Sequence, residues 1–172
     1  MLKKINAITA FILSFLVLLH IVLMSLLLTG VVGFNPIFNT IGKLLLIVFV
    51  THIIISLCIM FFYSGNGIKY PKLNKSTVEQ RLSSIILLIM IHFHMRNYFS
   101  DNVLVQPSWF GYITEIIFTV LFMCHFMPSI DKGLLTLGIN SKTVIMITKI
   151  IFILAFALSL VSVSVYFLGV II

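Results

Sequence analysis

The chain has 172 residues, 61% of them hydrophobic and 9% charged, with a mean hydropathy of +1.25 and a formal net charge of +7. Soluble domains carry roughly 45–50% apolar residues, so a water-soluble globular fold is excluded and a bilayer becomes the expected solvent. Reading for runs of about 20 apolar residues predicts five membrane-crossing helices in one unit spanning 1–172, with no soluble domain and no interdomain linker.

The first predicted helix covers 7–28 and follows Lys3 and Lys4. A signal peptide also begins this way, but the apolar run is longer than a signal core, lacks a small-residue cleavage site and carries His20; it reads as a mature helix. The second, 41–63, carries His52 and Ser56. The third, 78–98, opens on Gln80-Arg81-Leu82-Ser83-Ser84 and carries His92 and His94. The fourth, 112–130, holds Glu115, His125, Pro128 and Ser129. Pro128 has no N–H for the Cys124 carbonyl, so a bend is expected there. The fifth covers 144–170.

Charge follows the same topology. Lys3, Lys4, Lys69, Lys72, Lys75, Arg81, Lys132, Lys142 and Lys149 cluster at one set of helix ends, and only Lys43 and Arg96 fall at the other. This positive-inside bias predicts a multi-pass protein of the cytoplasmic membrane, with the N-terminus in the cytoplasm and the C-terminus outside. The basic charge thus sets orientation, and can meet anionic lipid or an acidic partner; it does not indicate nucleic acid.

Four histidines recur on this frame. His20 and His52 are 32 residues apart, and His94 and His125 are 31 apart, each in its own apolar segment. Aligning His20 with His94 puts Thr9 on Ser83; aligning His52 with His125 puts Ser56 on Ser129 and Gly65 on Gly138. Two similar helical hairpins followed by a fifth helix are implied. A single membrane histidine is usually an interhelical hydrogen-bonding group. Four at repeated positions point instead to paired ligands that hold haem iron from both faces.

Equivalent depths on parallel helices pair His20 with His94 and His52 with His125. Ser56, Ser83, Ser84 and Ser129, small and near the histidines, would let a porphyrin approach the backbone. Cys58 and Cys124 form no CxxCH motif, which excludes the usual covalent haem attachment, and nothing supports a disulfide. His92, about 200° around the helix from His94, is expected to face another helix or lipid.

Other polar residues keep two readings each. Arg81 is either a topology-setting charge or a partner for a haem propionate. Arg96 is an interfacial anchor, or serves an outer propionate or a quinone carbonyl. Glu115 is either a proton acceptor for quinol oxidation or a carboxyl hydrogen-bonded near the interface. Trp109, Tyr112 and Tyr98 are expected in an aromatic belt, and Asp101 in solvent.

Gln80-Arg81-Leu82-Ser83-Ser84 followed by His94 resembles the start of the third core helix in the membrane cytochrome b subunits of succinate dehydrogenase and fumarate reductase. His125-Phe126 with Ser129 and Leu137-Gly138-Ile139, and Thr51-His52 with Ser56-Leu57, resemble that family's fourth- and second-helix patterns. The resemblance is to the five-helix, two-haem branch and covers nearly the whole chain. Met123 stands where some members carry a glutamate.

The resemblance implies an anchor for a flavoprotein and an iron–sulfur subunit on the cytoplasmic face. It would hold two haem b and relay electrons between that iron–sulfur subunit and a quinone, often menaquinone, while dicarboxylate chemistry stays on the flavoprotein. It also implies that His52 and His125 hold the haem nearer the iron–sulfur partner. His20 and His94 would hold the haem nearer the opposite face. Two rival readings are a small transporter moving protons or metal through the histidines, and a haem-free structural anchor or assembly factor.

Overall fold

The computed structural model describes residues 2–62, 75–100, 103–104 and 108–171. Five helices account for nearly all of them. α1 (Leu2–Leu28) stops where Gly30 takes φ 72° and the Val31 N–H returns to the Leu26 carbonyl at 3.0 Å; glycine enters this left-handed cap without a Cβ penalty. α2 (Pro36–Phe62) begins with Asn35 as cap, its Oδ1 accepting from the Ile37 N–H at 3.0 Å, and Pro36 in the first turn where no N–H is needed.

α3 (Lys75–Tyr98) leads into a minimal antiparallel pairing of β1 (Phe99–Ser100) with β2 (Val103–Leu104). α4 (Trp109–Thr136) is capped by Ser108, whose Oγ accepts from the Gly111 N–H at 3.0 Å; the helix ends at Gly138, φ 87°. α5 (Lys142–Ile171) starts after Ser141, whose Oγ accepts from the Val144 N–H at 3.4 Å.

The helices run past the apolar segments. α4 continues beyond 130 to Thr136, although Asp131 and Lys132 read as a polar stop. Two contacts carry the extra turns: Leu134 is buried, and the Asp131 carboxylate meets Lys149 Nζ of α5 at 2.8 Å. Pro128 sits inside this helix. Both thiols, Cys58 and Cys124, are free. Gly65 and Asp101 lie outside the described residues.

Four helical stretches, Lys4–Leu28, Pro36–Ile59, Trp109–Thr136 and Lys142–Gly169, are long and apolar enough to cross a membrane, consistent with a multi-pass membrane protein. Their outward faces are apolar as well: Phe15, Ile47 and Leu154 are all more than 60% exposed. Helices satisfy their own backbone groups, which suits such faces to hydrocarbon.

Packing is uneven. α1 packs on α2, α4 and α5; α4 packs on α3 and α5. Among the described residues no Cα of α3 comes within 8 Å of α1 or α2, and none of α2 within 8 Å of α4. α2 and α3 therefore stand as two walls of a cleft with α1 and α4 as its floor, and α5 backs that floor. One buried cluster, Ile130, Leu134, Phe152 and Phe156, joins α4 to α5, with Leu18 and Ile21 of α1 against it. A second, Tyr98, Val163 and Phe167, joins the far ends of α3 and α5.

Candidate functional site: two tiers of paired imidazoles

Side-chain contacts fix how the helices run. Thr9 near the start of α1 meets His52 near the end of α2, and Ser83 near the start of α3 meets His125 near the end of α4. Each hairpin is therefore antiparallel, and α1 runs parallel to α3. The histidines fall into two tiers along the cleft. Thr9 precedes His20 by 11 residues, so the tiers are about 16 Å apart at 1.5 Å per residue.

In the upper tier His20 of α1 faces His94 of α3, with ring centroids 6.2 Å apart and planes at 73°. Both line a cavity of about 620 Å³, together with Lys43, Leu46 and Phe49 of α2 and Met95 and Arg96 of α3. Phe118 of α4 stacks on the His94 ring at 4.7 Å. In the lower tier, His52 of α2 meets Thr9 of α1 and His125 of α4 meets Ser83 of α3. Among the described residues no group of three or more His, Cys, Asp or Glu could hold a bare metal ion.

Three of the four rings are held at Nδ1. Thr9 Oγ1 lies 3.2 Å from His52 Nδ1, and Ser83 Oγ lies 3.0 Å from His125 Nδ1. Glu115 Oε2 lies 2.8 Å from His94 Nδ1. The Thr9 hydroxyl also donates to the Asn6 carbonyl at 3.0 Å. A hydroxyl has one proton, so with that proton on Asn6 its oxygen accepts from His52 Nδ1–H. The Nε2 lone pair of His52 is then left for another partner.

Glu115 is 2% exposed and fully engaged. Its Oε1 accepts from Asn97 Nδ2 at 2.8 Å, and the Tyr98 ring packs edge-on against His94 with centroids 5.3 Å apart. Asn97 is oriented by its neighbour: the Thr114 hydroxyl gives its proton to its own helix and accepts from Asn97 Nδ2 at 2.8 Å. Gly111 lets these elements close up, since a Cβ there would meet Phe167 Cε1 at 2.8 Å.

The sequence-derived serines divide. Ser83 reaches an imidazole on the facing helix. Ser56 donates to Asn6 Oδ1 at 2.9 Å, tying α2 to α1, whereas Ser129 donates to the His125 carbonyl of its own helix at 2.9 Å. Ser84 is half-buried on α3. Arg96 is exposed and lines the cavity with His92. The Arg81 side chain lies outside the described residues. Tyr98 is not in an outer belt; it is 4% exposed against Tyr166 and Phe167. Trp109, 56% exposed, does face outward.

Sequence reasoning passed over Thr9 as a site residue although its offset from His20 matches that of Ser83 from His94. Asn6 and Asn97 carried no such signal. Comparison with protein-family models, curated proteins and solved structures yields no match to this chain.

Proposed function

We propose that this chain is a membrane-embedded cytochrome b with two haems, and that it serves as the anchor subunit of a succinate:quinone or quinol:fumarate oxidoreductase. The observation that carries the reading is the upper tier, where His20 and His94 face each other across a cavity while their helices stay apart. Two imidazoles on opposite sides of one metal put ring centroids about 6 Å apart, from roughly 2 Å of metal–nitrogen bond and about 1 Å within each ring. The observed 6.2 Å fits that requirement. So does the cavity, which lies within the roughly 300–1,000 Å³ of small-molecule sites.

His20 and His94 would hold one haem, His52 and His125 the other. When bound, each haem supplies a one-electron couple. The chain's own residues do the rest. Thr9, Ser83 and Glu115 fix ring orientation through Nδ1, the usual role of a partner behind a ligating histidine. The apolar walls exclude water. Arg96 and Lys43, exposed residues that line the cavity, suit the propionates or a quinone carbonyl. The gap between α2 and α3 would admit a quinone such as menaquinone from the lipid.

Orientation follows charge, with the Lys-rich helix ends in the cytoplasm, where flavoprotein and iron–sulfur subunits would dock. The matched pairs Thr9–His52 and Ser83–His125 support two hairpins of similar design.

A reduced-minus-oxidised spectrum with a pyridine haemochrome assay on purified protein tests the reading. Two haem b per chain are expected, with His52→Ala or His125→Ala removing one and His20→Ala or His94→Ala removing the other. No haem despite ample supply overturns the proposal in favour of a transporter or haem-free anchor, and single variants that keep both spectral components overturn the pairing.

A further inference from the structure

The lower imidazoles meet hydroxyls, whereas the upper His94 meets a carboxylate. Thr9 and Ser83 are neutral partners at Nδ1 of His52 and His125. Glu115 takes the corresponding place on His94, buried, at 2.8 Å, with Asn97 as a further partner and the Tyr98 ring against His94. Nothing in the first hairpin duplicates this cluster: the residue aligned with Asn97 is Leu23, and Tyr98 aligns with Met24.

We infer that Glu115 is a positioning residue for His94. It holds His94 in the Nδ1–H tautomer, presents the Nε2 lone pair to the cavity, and makes this imidazole a stronger electron donor than His52 or His125. The inference rests on the haem reading only for its electronic consequence; the tautomer belongs to the chain alone.

The physical reasons are geometric. Asn97 Nδ2 can only donate, so Glu115 Oε1 must accept. With Thr114 fixing the amide, the remaining oxygen is placed to accept from His94 Nδ1–H. A charge-assisted bond of this kind is shorter and stronger than a neutral one. A carboxylate behind a ligating imidazole raises its basicity, stabilises the oxidised metal and lowers the reduction potential. A hydroxyl does so much less. The two haem sites are therefore electronically unlike, and Glu115 is the cause.

Two readouts separate this inference from the haem assignment. In haem-free protein labelled with 15N-histidine, the His94 resonance, identified by its loss in His94→Gln, should report Nδ1–H. Glu115→Ala should move it toward the Nε2–H form that free histidine prefers, and Glu115→Asp should restore part of the wild-type signal. In haem-loaded protein, Glu115→Gln should keep both haems, raise one midpoint potential and alter one low-spin ferric EPR signal. Thr9→Val should disturb the other component. An Nε2–H His94 in wild type overturns the inference whatever haem is bound. Unmoved or equally shifted potentials in Glu115→Gln also overturn it. Wild-type protein without haem overturns the haem reading and the electronic consequence together, while the NMR result still decides the positioning role. If Glu115→Ala fails to fold, Glu115→Gln serves in the NMR arm, where a neutral acceptor should weaken the Nδ1–H signal.

Discussion

Thr9 shows how one hydroxyl can set the chemistry of a ring on another helix. Its proton goes to the Asn6 carbonyl and its oxygen faces His52 Nδ1. A side chain of similar shape without the oxygen would leave that N–H unpaired inside the bundle. Thr9→Val should cost about 1–3 kcal/mol, because it leaves a buried donor unpaired. It should also weaken haem binding at the lower tier by roughly 10–100-fold, the usual effect of losing a partner behind a metal ligand. Haem titration of the purified variant checks this: the upper component should fill as in wild type while the lower one lags. Equal loss from both tiers would mean that Thr9 acts on the bundle as a whole. Asn6 completes the cluster by accepting from Ser56, so one turn of α1 orders two residues of α2.

α4 contributes to both tiers of the site, through Glu115 and His125. Glu115, Phe118, Phe122 and His125 recur at steps of three and four, so they share one face, turned toward the cleft. The same face continues one turn beyond Phe122 to Phe126, which meets α5, and the Phe126, Phe152 and Phe156 rings lie 4.5–6.4 Å apart by centroid. The Asp131–Lys149 pair adds little, because both side chains are at least a third exposed; such pairs contribute about 0–1 kcal/mol. The tightest approach is at Gly111, near the N-terminus of α4. Gly111→Ala would push a methyl into the Phe167 ring and against Ser108 Oγ, which is 3.2 Å from the Cβ position. Overpacking of this kind costs about 1–3 kcal/mol. The variant should melt at lower temperature in detergent and loosen the Asn97–Glu115 contact, while His52 and His125, a tier away, keep their haem. An unchanged melting temperature would mean that α5 yields freely there.

The helices together form an incompletely closed bundle. α2 and α3 flank a cleft instead of packing on each other, and His20 and His94 face each other within it. Adjacent apolar helices left apart lose dispersion contacts, so a group that fills the cleft would stabilise the native arrangement. Orientation across the membrane is a property of the whole chain and can be read directly. In a background with Cys58 and Cys124 replaced by Ala, Val31→Cys lies in the 69%-exposed turn between α1 and α2. It should react with an impermeant maleimide on intact cells. Asn140→Cys, exposed between α4 and α5, should react only after permeabilisation. The reverse pattern would place the iron–sulfur docking face on the wrong side and undo the assignment to such a complex.

The two histidine levels came only from the resemblance, but helix number and the parallel course of α1 and α3 were legible in the chain, because hydropathy length counts the crossings. What lay around the axis was not. The bonds Thr9–His52, Ser83–His125 and His94–Glu115 join residues 43, 42 and 21 positions apart. Tyr98 turned inward to His94 and Phe167, where its position near a helix end suggested an interfacial ring. Mean hydropathy is nearly blind to rotation when every face of a helix is apolar. Only packing of one helix on another selected which polar atoms met, and with them the atom behind each imidazole.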